Sequence, residues 1–143
     1  MSEPKQLSKR GQRVLLLANR ESKRFCCPHV ASEHLLLGAL SYRSPAVSSP
    51  LRSAGLALAA LRSYIAQVGS APEKAPHGYG PSMHGALRRS CQHSRALSHS
   101  KMEPEHLVLG VLDETDGGAA RALHHFGVDI AATRRHIIRR IRK

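Results

Sequence analysis

Glu33-His34-Leu35-Leu36-Leu37-Gly38-Ala39-Leu40 decides the reading of this chain, because it returns 72 positions later as Glu105-His106-Leu107-Val108-Leu109-Gly110-Val111-Leu112. The same offset holds without a gap on both sides. Upstream, Leu15 falls on Leu87, Ser22 on Ser94 and Phe25 on Leu97. Downstream, Leu51 falls on Leu123, Gly55 on Gly127, Leu58 on Ile130, Arg62 on Arg134 and Ile65 on Ile137. One offset kept over so long a span marks a duplication. Two copies of one supersecondary unit predict a pseudo-twofold domain in which each copy covers the other's apolar face.

No segment alternates cleanly with a period of two, so only helices are expected. The first runs over about 8–24, with Ser8 as N-cap and Leu7, Gly11, Leu15, Ala18, Ser22 and Phe25 on one stripe. Ser32 is read as the cap of the second. A proline inside a helix costs a hydrogen bond and clashes with the preceding turn, so the third is expected to be short and to begin at Pro50 after a Ser49 cap. The fourth covers about 57–68. Pro72, Pro76 and Gly78 mark a linker. The fifth runs over about 81–97, the sixth begins at Pro104, the seventh near Gly118 and the eighth at Asp129, a natural cap. The organisation is one domain over 1–143: repeat 1 at 7–69, linker at 70–78, repeat 2 at 79–143. The expected fold class is all-α, a tandem duplicated four-helix repeat of about eight helices. The expected core is Leu15, Leu35, Leu36, Leu40, Leu61, Ile65, Leu87, Leu107, Leu112, Leu123, Ile137 and Ile138.

A chain of 143 residues can bury one core. With 3% aromatics and no Trp, that core must be aliphatic. The formal charge of +12 favours acidic partners, or is simply a solvated surface. Three cysteines, of which Cys26 and Cys27 are adjacent, argue against a disulfide framework and for a reducing compartment. The first residues lack an apolar leader segment and no apolar run approaches membrane-spanning length, so the expected location is the cytoplasm. The groups Cys26-Cys27-His29-His34 and Cys91-His93-His99 fit no standard zinc spacing, and neither metal nor cofactor is expected. No nucleophile elbow or paired-carboxylate signature stands out, and no enzyme is read.

The duplicated residues also carry a resemblance. In the first copy they are Leu7-Ser8, Arg13-Val14-Leu15-Leu16-Leu17-Ala18, Ser32-Glu33-His34-Leu35-Leu36-Leu37-Gly38 and Ser53-Ala54-Gly55-Leu56. In the second they are Tyr79-Gly80-Pro81, Pro104-Glu105-His106-Leu107-Val108-Leu109-Gly110, Gly117-Gly118-Ala119-Ala120-Arg121-Ala122-Leu123 and Phe126-Gly127-Val128-Asp129. Over nearly the whole chain this resembles the amino-terminal domain of the Clp AAA+ unfoldases, in particular the Clp-C type. A Clp motor needs a Gly-Lys-Ser/Thr phosphate loop, and no lysine here follows a glycine, so the chain reads as a recognition domain without its motor.

The resemblance implies two binding surfaces. In the family, glutamates equivalent to Glu33 and Glu105 bind the guanidinium of phosphorylated arginine on substrates marked for degradation, with the phosphate held at the start of each repeat's first helix. Carried over position by position, site one is Glu33 with Ser8 and Arg10; site two is Glu105 with Gly80 and Ser82, and so has lost its hydroxyl and its cation. Read without the family, an acidic residue in the first turn of a helix offsets the helix dipole. The second surface is a groove between the repeats that takes adaptor proteins and antibacterial cyclic peptides. Its matching positions are Leu7, Tyr79, His84 and Arg88. The expected role is thus non-catalytic recognition of Clp substrates, adaptors or peptides, as an adaptor or decoy alongside Clp ATPase or protease components. The alternative is a basic nucleic-acid-binding protein on the same bundle, motivated by the first helix and the Arg-rich eighth. Nucleic acid is otherwise expected to associate only weakly and without sequence preference.

Overall fold

The computed structural model describes residues 6–70 and 78–141. Most of the expected linker falls on residues 71–77, outside that range. Among the described residues there are eight helices: α1 (Lys9–Arg24), α2 (Ser32–Tyr42), α3 (Pro45–Ser53), α4 (Leu58–Val68), α5 (Pro81–Ala96), α6 (Pro104–Leu112), α7 (Gly118–His125) and α8 (Ile130–Ile141). None of them is long and apolar enough to cross a membrane.

Helices α2 and α6 form the centre. They are buried from Ser32 to Leu40 and from Pro104 to Leu112, and beyond the polar residues of their first turns, over Leu35 to Leu40 and Leu107 to Leu112, they are apolar all round. The remaining helices wrap these two. Leu36 is fully buried in this core, so Leu36→Ala should cost about 2–5 kcal/mol through lost contacts and a residual cavity, read as a shift of the urea midpoint at unchanged slope.

The duplication extends to backbone detail. After α1, Cys26 takes a left-handed conformation (φ 55°), and the Cys27 N–H donates to the Ser22 carbonyl at 2.9 Å. After α5, Ser98 (φ 58°) and the bond from His99 N–H to the Ser94 carbonyl at 2.9 Å repeat this helix stop. His34 Nδ1 accepts from the Ala31 N–H at 2.8 Å, and His106 Nδ1 accepts from the Glu103 N–H at 2.8 Å. The duplicated histidines are therefore helix-start caps. Ser32 is not a cap but the first residue of α2; its hydroxyl accepts instead from the Ala119 N–H of α7 at 3.3 Å.

Three further sequence expectations need correction. Helix α3 starts at Pro45, not Pro50, and contains both Ser49 and Pro50. Val47 and Leu51 are one turn apart and fully buried, and Pro50 is buried with them, so burial outweighs the single bond that Pro50 cannot make. Leu15, Leu87 and Ile138 are only half-buried. In α1 and α5 the innermost positions belong to Val14 with Ala18 and to Ala86 with Ser90, because helices this close admit small residues at the contact. Finally, helices are not the whole structure. Strand β1 (His29–Val30) pairs in parallel with β2 (Gly78–Tyr79), and Leu7 makes the equivalent bridge to Met102. Two-residue pairings are too short to leave a period in the sequence.

Candidate functional site at the crossed repeat junction

These two pairings are exact counterparts at the 72-residue offset, and they cross the repeats. The Ser8 N–H donates to the Met102 carbonyl at 3.0 Å, and the Gly80 N–H to the Val30 carbonyl at 3.0 Å. The start of each repeat's first helix therefore lies against the start of the other repeat's central helix. This reverses the site composition expected from sequence. Ser8 and Arg10 stand beside Glu105, whereas Gly80 and Ser82 stand on the Glu33 side.

At the Glu105 corner, the Ser8 hydroxyl accepts from the Gly11 N–H at 3.0 Å as the cap of α1 and donates to Glu103 Oε1 at 2.7 Å. The Arg10 guanidinium donates to the Ser44 hydroxyl at 2.9 Å and lies 3.9 Å from Glu103 and 3.7 Å from Glu105. Tyr42 first, and then the two carboxylates, hold the Arg10 pKa above its ordinary value. Glu105 is 8% exposed, and its Oε1 has no hydrogen-bond partner among the described residues. Burial raises its pKa, and Arg10 partly offsets that. The corner opens into a hollow of about 510 Å³, also lined by His99 and Lys101.

The Glu33 corner is more closed. Glu33 is 3% exposed, and its Oε1 also lacks a partner among the described residues. The first turn of α7 roofs it: a Cβ on Gly118 would lie 2.4 Å from the Glu33 carboxylate. Glu114 Oε1 accepts from the Ala120 N–H at 2.9 Å, and its pKa is raised by burial, with the nearby Glu33 charge adding to the effect. The Ser82 hydroxyl accepts from the Ser32 N–H at 3.0 Å. Sequence reading missed Tyr42, Ser44, Glu103 and Glu114. The offset itself could have flagged two of them, since Tyr42 and Glu114 are duplicates of one position.

Leu7 and Tyr79 do come together. With Leu15, Leu16 and Val30 they line an open groove of about 470 Å³ between the repeats. His84 meets the Tyr79 ring edge-on at 6.0 Å between centroids, and burial raises the Tyr79 pKa. Arg88 lies on the exposed side of α5, outside the groove lining.

Residues 78–143 match the family model of the Clp repeat (R) N-terminal domain. These residues belong to the Clp N-terminal-domain family, and the chain is similar to Clp proteins over nearly its whole length. It is 30% identical over 134 residues to the chaperone protein ClpB of Oceanobacillus iheyensis, a match spanning 92% of the chain and 16% of the relative. It is 28% identical over 134 residues to the negative regulator of genetic competence ClpC/MecB of Bacillus subtilis, again 92% of the chain and 16% of the relative. The chain thus spans about one-sixth of the length of these relatives. The N-terminal domain of ClpD from Arabidopsis thaliana shares its fold, with a TM-score of 0.80 at 21% identity over 96% of both chains. So does a ClpV N-domain solved in complex with a VipB peptide, with a TM-score of 0.66 at 19% identity over 95% of this chain and 92% of that one.

In this Clp N-domain the two capping histidines differ in environment. His106 is fully buried, and its Nε2 lies 2.7 Å from His99 Nδ1. Because its Nδ1 accepts a backbone N–H, the ring is neutral and donates from Nε2. Burial, and then His99, push its pKa down from 6.5 to about 4. The unfolded chain therefore binds a proton that the folded one refuses. This contribution to stability is complete above pH 6.5 and is lost as pH falls toward about 4. Urea titrations should show stability falling over that window with a slope of up to about 1.4 kcal/mol per pH unit from this one group. His106→Gln should flatten the slope.

Proposed function

We propose that this Clp N-domain is a non-catalytic recognition module that binds protein substrates or adaptor segments for a Clp machine. Its charged site lies at the Glu105 corner. The observation that carries this reading is the buried Glu105 Oε1, which accepts no hydrogen bond among the described residues and stands 3.7 Å from the Arg10 guanidinium. A carboxylate held out of water with an open oxygen gains most from a charged donor, and a guanidinium supplies paired N–H groups. In a phosphorylated arginine the guanidinium would meet Glu105 while the phosphate meets Arg10. The Leu7–Tyr79 groove would take apolar segments of adaptors or cyclic peptides. That the ClpV N-domain was solved with a VipB peptide supports peptide recognition by this fold as a class. Calorimetry of the chain with free phosphoarginine tests the reading. Saturable heat that is absent with unmodified arginine is expected; no binding of either compound would remove the Glu105 corner as the ligand site.

A further inference from the structure

A second hollow, of about 450 Å³, lies where the end of α2, the outer face of α3 and the start of α4 meet, and shares no lining residue with the Glu105 corner. Arg43, Ser49, Arg52 and Ala57 line it, and no carboxylate does. Among the described residues neither Arg43 nor Arg52 forms an ion pair. A third arginine, Arg140 of α8, reaches the Ser49 hydroxyl at 3.5 Å. Ala57 is the N-cap of α4 and offers no side-chain acceptor, and the first turn of α4 has no acidic residue.

The other repeat shows what this arrangement lacks. At the 72-residue offset, Arg43 becomes Thr115, Arg52 becomes His124 and Ala57 becomes Asp129. Thr115, Arg121 and His124 line the corresponding hollow together with Asp116, which stands where repeat 1 has Ser44. Asp129 Oδ1 accepts the Ala132 N–H at 3.0 Å, capping α8. Repeat 2 thus carries its own anions at this place. Repeat 1 has neither carboxylate and lines its hollow with two arginines, Arg43 and Arg52, where repeat 2 has one, Arg121.

We propose that the repeat 1 hollow binds a phosphate monoester. Arg43 and Arg52 pair with its oxygens, the Ser49 hydroxyl donates to it, and the first-turn N–H groups of α4 face it where Asp129 sits in repeat 2. The Ser48 hydroxyl takes no part as donor, being bonded to the Ser44 carbonyl at 2.9 Å. Two guanidinium forks, a hydroxyl and a helix start offer more donors than two carboxylate oxygens can accept, which favours a phosphate dianion.

Two substitutions separate binding from folding. Arg43 has left-handed backbone (φ 63°, ψ 25°), where glycine is at no disadvantage, so Arg43→Gly should leave the melting temperature unchanged or higher. Ala57→Asp installs the cap that repeat 2 already carries and should raise it. In an amide NMR titration with O-phosphoserine, the shifts should centre on Leu58, Ala59 and Ala60. Each substitution should weaken binding about tenfold or more, because each removes or neutralises the positive field that holds the ligand. Inorganic phosphate binding as tightly as phosphoserine would identify the free ion as the source, and tighter phosphoserine binding a phosphorylated side chain; both support the site. Shifts confined to other residues, or affinity unchanged in both variants, would overturn it.

Discussion

Glu105→Ala should remove most of the affinity for phosphoarginine, by about 30-fold or more, while Glu33→Ala should cost only a few-fold, as expected when one partner of a desolvated charge pair is truncated. The difference follows from the surroundings of two residues that are duplicates of each other. Glu105 is flanked by a cation at 3.7 Å and opens to a hollow, so a ligand with both a guanidinium and a phosphate finds both complements there. Glu33 lies under Gly118 with the Glu114 carboxyl as its neighbour and Arg89 acting on Glu114, so the roof of α7 leaves little room for the guanidinium. Because Glu105 sits close to α1, the control is Glu105→Gln. It keeps the shape and removes the charge, and should lose nearly as much affinity as alanine without lowering the melting temperature. The converse ranking, with Glu33→Ala the more damaging, would mean that α7 swings away and that the static corner described above is not the one that binds. Equal losses would mean that Ser8 and Arg10 contribute little.

The sequence placed the central octets and every helix but α3 close to where they lie, and for one reason. Leu35 to Leu40 and Leu107 to Leu112 carry apolar side chains on every face, and such helices have nowhere to go but the core. It failed where the outcome depended on contacts between the copies. The position-by-position transfer put Ser8 and Arg10 with Glu33 because all three belong to one repeat, whereas the Leu7–Met102 and Val30–Tyr79 pairings bring opposite repeats together. No local pattern announces a two-residue parallel bridge. Leu15 lies on the stripe expected to face inward, yet Val14 takes the innermost position, where two helix backbones nearly touch. Pro50 was read as a start because its local cost is visible in sequence, while the burial of Val47 and Leu51 that offsets it is not.

The same duplication shows which features each copy was free to change. Glu21 of α1 accepts from Arg62 of α4 at 3.0 and 2.7 Å, tying the first and last helices of repeat 1 together. At the offset, Arg134 keeps the cation while His93 replaces the glutamate, and Asp113 supplies the acid to both. The tie survives with its carboxylate moved to another helix. Both repeats hold an ion pair here, with the carboxylate at different positions. The glycines at the centre of each repeat are different.

Gly110→Ala should destabilise the domain by about 3 kcal/mol or more, the upper end of the usual cost of overpacking, and Gly38→Ala should follow it closely. In an open helix interior, replacing glycine with alanine is favourable by up to about 1 kcal/mol, so the sign of the effect is itself the test. A Cβ on Gly110 would lie 2.4 Å from the Ala86 carbonyl oxygen and 2.9 Å from the Ser90 backbone nitrogen. On Gly38 it would lie 2.7 Å from both the Val14 carbonyl oxygen and the Ala18 backbone nitrogen. These obstacles are backbone atoms, so no rotamer change relieves them. The α1–α2 or α5–α6 pair would have to separate, opening the aliphatic core on either side. Gly85→Ala provides the control: it lies in α5, but an added methyl there meets the side-chain ends of Arg89 and Arg88 rather than backbone, the nearer at 3.1 Å. That variant should be neutral or slightly stabilising. With total stabilities for domains of this kind near 5–15 kcal/mol, the double variant Gly38→Ala/Gly110→Ala should be largely unfolded at room temperature by circular dichroism. If Gly110→Ala melts at or above the temperature of the unsubstituted chain, the close helix crossings described here are wrong, and with them the geometry that carries Ser8 and Arg10 to Glu105.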